Sequence, residues 1–176
     1  MPRSEPIKAV RGVRDIVPGE MPVWRAAEQA AENVARRFGY EEIRTPLLEP
    51  AELIERVGED TDAFAKELYR FDDRGGRNLA LRPEATAGIV RSYFERGLNQ
   101  GPQPSRLYLF GPMFRYDRPQ KGRYRQFYQV DVEAIGSAAP GLDAEVIEVA
   151  QEWLHQVGLQ DLRLELNSIG DAKCRP

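Results

Sequence analysis

In the stretch Phe114-Arg115-Tyr116-Asp117-Arg118-Pro119-Gln120-Lys121-Gly122-Arg123-Tyr124-Arg125-Gln126-Phe127-Tyr128-Gln129, five cationic side chains (Arg115, Arg118, Lys121, Arg123 and Arg125) oppose one carboxylate, Asp117. Before it, Arg106-Leu107-Tyr108-Leu109-Phe110 is rich in aromatic and branched residues and predicts a strand; after it, Phe127 to Ile135 predicts another. Pro119 and Gly122 punctuate the stretch between them, so the pieces make a long-looped hairpin. Side chains alternate along a strand. Tyr128, Val130, Val132 and Ala134 therefore share one face of the second strand, and Phe127, Gln129, Asp131, Glu133 and Ile135 share the other. An amide and two carboxylates in one stripe, flanked by apolar residues, suit a cationic or amine-bearing small molecule; a solvated strand face is the alternative. Guanidinium groups fork onto phosphate oxygens and stack on flat rings. Arg115 at one strand end and Phe127 at the other can hold a phosphate and an aromatic base between them, unless the loop is merely a basic surface feature.

Working outward, Arg82-Pro83-Glu84-Ala85-Thr86 leads from a strand into a helix running to about Glu95 and closed by Gly97. Glu84 and Thr86 fall in its first turn, where an acid is at home electrostatically and is equally placed to accept an ammonium group. Leu68–Phe71 and Asn78–Leu81 flank Gly75-Gly76, which predicts a second hairpin. Trp24, Ala27, Ala31, Val34 and Phe38 form one apolar stripe on a helix from Pro22 to Phe38, with Gly39 as its stop. A short strand from Tyr40 to Thr45 ends at Pro46, leaving Leu47 and Leu48 to bury against something else, such as a second subunit, and residues 51–57 form a short helix. Gly58-Glu59-Asp60 is a polar loop. Asp143 is expected to cap a helix reaching Val157, with His155 on its polar side, and Leu162 to Leu166 reads as a final strand before a turn at Asn167–Asp171. Residues 1–19 read as an irregular arm in which Arg11, Arg14 and Asp15 near Gly12 either line a site or pack on a neighbour, with packing favoured.

Hairpins separated by helices favour an α+β fold, with a mixed or antiparallel sheet flanked by helices, over a doubly wound parallel one. The 176 residues suffice for one domain with a sizeable core. With 41% hydrophobic and 30% charged residues, the composition is that of a soluble globular protein. The net charge of -3 supplies no global attraction for nucleic acid, so such contact must come from the basic hairpin. One cysteine and one histidine cannot build a soft-ligand metal cluster, and no metal-ligand residues are assigned. The sequence lacks a membrane-spanning apolar run and a signal-peptide core, which makes a cytoplasmic location the default. Neither common glycine-rich phosphate loop is present, so a nucleotide would be held by arginines and a sheet face.

These motifs resemble the N-terminal part of the catalytic domain of class II aminoacyl-tRNA synthetases, specifically of the histidyl-tRNA synthetase family. Residues 39–50 are similar to the first class II signature, with Pro46 as its proline, and Phe114 to Glu133 to the second. The Arg-Pro-Glu-x-Thr-Ala run at 82–87 and the Arg-Pro-Gln-Lys-Gly-Arg-Tyr-Arg-Gln-Phe run at 118–127 narrow the match to the histidine enzymes. The resemblance implies an antiparallel sheet flanked by helices, here incomplete, and a homodimer in which the first signature braces the partner's site. It divides the chain into the 1–19 arm and a partial catalytic domain over 20–176.

It also implies ATP with Mg2+, histidine and the acceptor end of tRNA(His) as partners in a two-step activation and transfer. Arg115 and Gln129 would be catalytic; Glu84, Thr86, Gln129 and Glu133 would bind histidine. Arg115, Asp117, Arg123 and Phe127 would bind ATP, and Arg118 and Gln120 would face the tRNA. Asp117 departs from the family's glutamate by one methylene. The third signature, the histidine-specific arginine segment and the anticodon-binding domain are absent from these residues, so the chain reads as truncated and the piece alone is expected to be inactive. The rival within the resemblance is a regulatory paralogue that partners ATP phosphoribosyltransferase. The Arg118–Arg123 loop favours the synthetase, because a regulator has no acceptor stem to meet.

Overall fold

Residues 6–57 and 67–167 are described by a computed structural model. In chain order they form α1 (Met21–Arg37), β1 (Glu41–Glu42), β2 (Leu48–Pro50), α2 (Ala51–Val57), β3 (Arg70–Asp72), β4 (Asn78–Leu81), α3 (Thr86–Glu95), a short 3-10 turn, β5 (Ser105–Phe114), β6 (Gln126–Ile135) and α4 (Pro140–Gln156). The polar loop expected at Gly58-Glu59-Asp60, most of the turn up to Asp171, and Cys174 lie outside the described residues.

The two strands of the central hairpin, β5 and β6, pair antiparallel over their full length, from Ser105 opposite Ile135 to Phe114 opposite Gln126. Strand β5 is twice as long as expected because Gly111-Pro112 does not end it; both residues remain in register with β6. Strand β1 joins the other edge of β5 in parallel, giving a three-stranded sheet in the order β1-β5-β6. It is shorter than the expected Tyr40–Thr45 strand. The second sheet, β2-β4-β3, is antiparallel and contains the hairpin predicted around Gly75-Gly76.

The alternation of β6 divides the core. On one face Val132 and Ala134 pack with Val34, Ala35, Tyr40, Tyr108 and Val149 beneath α1 and α4. On the other, Phe127 and Ile135 pack with Ala85, Ile89, Leu107, Leu109 and Met113 beneath α3. Leu109 and Met113 are fully buried, and each contributes roughly 2–3 kcal/mol of burial free energy. The polar stripe of β6 is thus held between apolar residues at the head of α3.

Three expectations are corrected. Helix α3 starts at Thr86, so Glu84 precedes it; its carboxylate accepts the Thr86 N–H at 2.6 Å and the Ala87 N–H at 3.1 Å, satisfying donors that the first turn leaves open. Helix α4 starts at Pro140 after an extended Ala139, because proline fits the first turn and loses nothing by lacking an N–H; Asp143 lies within the first turn. The expected strand at Leu162–Leu166 does not form among the described residues, and Leu164 and Leu166 are 59% and 72% exposed. Alternation alone does not make a strand without a sheet edge to join. His155 is exposed, as its position predicts.

The arm packs on the hairpin. Gly12 O accepts the Arg125 N–H at 2.6 Å, and Arg125 in turn covers the Tyr116 ring at 4.0 Å. Gly12 has φ +88°, and a Cβ there would stand 2.8 Å from Arg125 Cγ and Cδ. Gly12→Ala therefore meets both a left-handed backbone, worth about 1–2 kcal/mol, and a crowded neighbour. Exchange of the Arg125 amide hydrogen is expected to accelerate about tenfold or more, with strand-centre amides such as Leu109 unchanged.

Candidate functional site

Cross-strand register sets the floor of the site. Gln129 stands opposite Gly111, Asp131 opposite Leu109 and Glu133 opposite Leu107, all on the α3 side. Glu133 accepts the Thr86 hydroxyl at 2.6 Å, which ties the stripe to the head of α3. Burial pushes the Glu133 carboxyl above the usual carboxylate range; the Thr86 bond opposes this and Glu84 adds to it. Of the expected histidine-binding residues, Thr86 therefore meets Glu133, and Glu84 is close enough to act on it electrostatically. Two buried oxygens remain without a hydrogen-bond partner, Gln129 Oε1 and Asp131 Oδ2. A buried acceptor left open carries the full desolvation penalty.

Asp131 lies well away from its ordinary range. Burial, then Glu84, then Glu133 push its carboxyl up to about 6, against the pull of Arg82 and the Ala85 N–H. A carboxyl raised in the folded state opposes folding. That penalty is absent below its unfolded pKa of about 4 and complete above about 6. The ionised stripe is thus least stable above about pH 6, and positive charge beside Asp131 would offset this.

Arg82 was given no role by sequence reasoning, yet it organises the floor. It is 4% exposed and donates to Pro112 O, Thr45 O and Thr45 Oγ1, each at 3.0 Å. Burial lowers its pKa, while Asp131 and Glu49 oppose that shift. Gly111 makes the room: a Cβ there would lie 2.6 Å from Arg82 Nη2. The available signal was a cation before Pro83 at the end of β4, with a glycine in the strand that faces it.

The phosphate-binding candidates lie at the other end of the stripe. Arg115 Nε donates to Pro83 O at 2.9 Å, and its guanidinium lies 5.2 Å from the Phe127 ring centroid. The expected base-stacking and phosphate-holding residues are therefore in contact. Asp117 accepts the Arg118 N–H at 2.6 Å and pairs with Arg123 Nη1 at 3.1 Å, so these two expected ATP contacts face one another. The loop tip closes through Gln120 and Arg123, which exchange backbone hydrogen bonds around Lys121-Gly122. Arg118 and Gln120 are exposed on that tip. Among the described residues, no group of three His, Cys, Asp or Glu side chains could hold a metal ion, and no helix is long and apolar enough to cross a membrane.

Comparison with known proteins identifies the family and the fold. A histidine--tRNA ligase of Desulforamulus reducens is 55% identical over 167 residues, 94% of this chain and 40% of that protein. Apo S. aureus histidyl-tRNA synthetase has the same fold, with a TM-score of 0.74 at 41% identity over 88% of this chain and 40% of that one. An ATP phosphoribosyltransferase regulatory subunit/histidyl-tRNA synthetase from Bacillus halodurans C matches with a TM-score of 0.77 at 27% identity, over 92% of this chain and 40% of that one. The expected class II architecture thus holds, and the chain spans about 40% of the length of the curated relatives it matches. The family model for histidyl-tRNA synthetase covers residues 12–170, and the chain belongs to that family.

Proposed function

We propose that the full-length protein containing this chain activates histidine with ATP and transfers it to tRNA(His). The observation that carries this reading is the stripe itself. Unpartnered acceptors at Gln129 and Asp131 lie between Glu84 and Glu133 at one end and an arginine stacked on Phe127 at the other. Acceptors suit the ammonium and imidazole N–H groups of histidine, and the stacked arginine suits adenine and phosphate.

In this reading Glu84, Thr86, Gln129 and Glu133 bind histidine. Arg115 holds the α-phosphate and, with Gln129, orients the attack on it; Phe127 stacks on the adenine. Asp117 lies beside the base, and Arg123 turns from Asp117 toward the distal phosphates of ATP, which arrives with Mg2+ as substrate. No side-chain nucleophile is needed, so positioning and charge stabilisation supply the acceleration. Arg118 and Gln120, exposed on the loop tip, meet the acceptor end. Residues 1–19 act as an arm on a catalytic portion spanning 20–176, in a cytoplasmic homodimer. Leu47 and Leu48, beside Pro46, are 42% and 45% exposed and supply apolar surface for the partner.

The full-length protein is expected to show histidine-dependent ATP–pyrophosphate exchange and to charge tRNA(His). Stimulation of an ATP phosphoribosyltransferase without charging would move the assignment to the regulatory reading, which the basic loop disfavours. Absence of both activities would sink the proposal.

A further inference from the structure

We infer that Asp131, outside the residues assigned above to histidine binding, is a substrate-contacting residue whose Oδ2 accepts an N–H from the α-ammonium group of the amino acid. The inference rests on the proposed histidine-activating function and identifies a further specificity element in that site. Three observations carry it. The side chain lies on the α3 face of β6, between Gln129 and Glu133 in the alternation. Its Oδ2 and the neighbouring Gln129 Oε1 are the two buried side-chain atoms without partners among the described residues. The charged groups acting on it are Glu84 before α3, Glu133 on its own strand and Arg82 at the end of β4, with the Ala85 N–H supplying the remaining polar contact.

The balance of these groups identifies the ligand chemistry. Arg82 is already committed to Thr45 and Pro112, whereas Glu84 satisfies backbone N–H groups of α3 with both oxygens. Glu133 is engaged by Thr86. Asp131 is therefore the carboxylate with an oxygen left to give. A group that brings both positive charge and N–H donors answers its electrostatic and hydrogen-bonding needs together, while a neutral donor answers only one. An ammonium does this without requiring the spacing of a metal site, which the described residues lack.

The experiment uses the full-length protein and compares wild type with Asp131→Asn and Asp131→Ser. Exchange kinetics at pH 6 and pH 8 give KM for histidine and for ATP, while imidazole propionate, which lacks the amine, serves as a competitive inhibitor. Loss of a charge-assisted bond is expected to raise KM for histidine about ten- to a hundredfold at pH 8, with KM for ATP and inhibition by imidazole propionate unchanged. Wild type should lose histidine affinity as pH falls through about 6, where Asp131 gains its proton. The variants should lose less. Titration of the ligand's own imidazole is common to all three proteins and cancels from the comparison.

An unchanged KM for histidine in the variants of an active enzyme would overturn the inference alone. Equal loss of histidine and imidazole propionate binding would assign Asp131 a packing role and also overturn it, as would failure of both variants to fold. A wild-type protein without histidine-dependent exchange would overturn the functional proposal and this inference together.

Discussion

Replacement of Arg115 by glutamine in the full-length protein is expected to slow histidine-dependent pyrophosphate exchange about a hundred- to a thousandfold, with little change in thermal midpoint. Local geometry explains the separation between activity and stability. Arg115 is half-buried just after β5, with its guanidinium near the Phe127 ring and its Nε donating to Pro83 O. Glutamine can retain a bond to that carbonyl but supplies no charge where phosphate charge develops. Arg115→Lys restores charge without the planar fork and should recover only part of the rate. Exchange kinetics and a thermal scan of the same samples decide the matter. A variant with normal exchange would remove Arg115 from the phosphate site.

The largest stability effect is expected elsewhere, at Arg91→Met. Glu49, only 3% exposed, accepts Arg91 Nε at 3.0 Å and Nη2 at 2.7 Å, so one guanidinium grips both carboxylate oxygens. Glu95 also pairs with Arg91. Gly88 on α3 leaves the passage open, since a Cβ there would stand 3.1 Å from Glu49 Oε1. The methionine leaves a carboxylate buried beneath α3 without its cation, costing about 3–5 kcal/mol. At roughly 2–4 °C per kcal/mol for a chain of this size, the midpoint falls by about 10 °C. Adding Glu49→Gln removes the stranded charge and should recover much of the loss. Denaturant unfolding of the single and double variants measures both effects, and an additive second loss would refute the buried-charge explanation.

Sequence periodicity was most informative where it repeated over a whole element. The two faces of β6 were legible from Phe127 to Ile135 because each alternate residue chose the same side, and both cores follow that division. The turn residues around Gly75-Gly76 and the apolar stripe of α1 were equally local signals. Strand lengths were less legible: β5 continues through Gly111-Pro112 because its partner holds the register, and β1 shrinks because only a short stretch meets β5. Leu162–Leu166 has the right alternation but no paired edge in the described structure.

At the site, strand alternation, the hairpin ends and the helix start singled out Glu133, Arg115, Phe127, Glu84 and Thr86, and the resemblance assigned their roles; the fold brings Thr86 to Glu133 and Arg115 to Phe127. Arg82 was not legible because its importance comes from acceptors at Thr45 and Pro112, which are distant in sequence. Asp131 stood in the recognised stripe, but its open oxygen emerges only when its neighbours' hydrogen bonds are assigned.

The Arg82 guanidinium also has a mechanical meaning. By spanning the segment after β1, the far half of β5 and the lead into α3, it makes the floor beneath the polar stripe a braced frame. The tip of the Asp117–Arg125 loop, between its anchors at Asp117 and Arg125, has mostly exposed residues and is closed by a short turn and a surface ion pair. One half therefore resembles a gauge block and the other a spring clip. Under the proposed function, small substrates would be measured against fixed acceptors, while the exposed loop would follow a polymer whose end must arrive, react and leave.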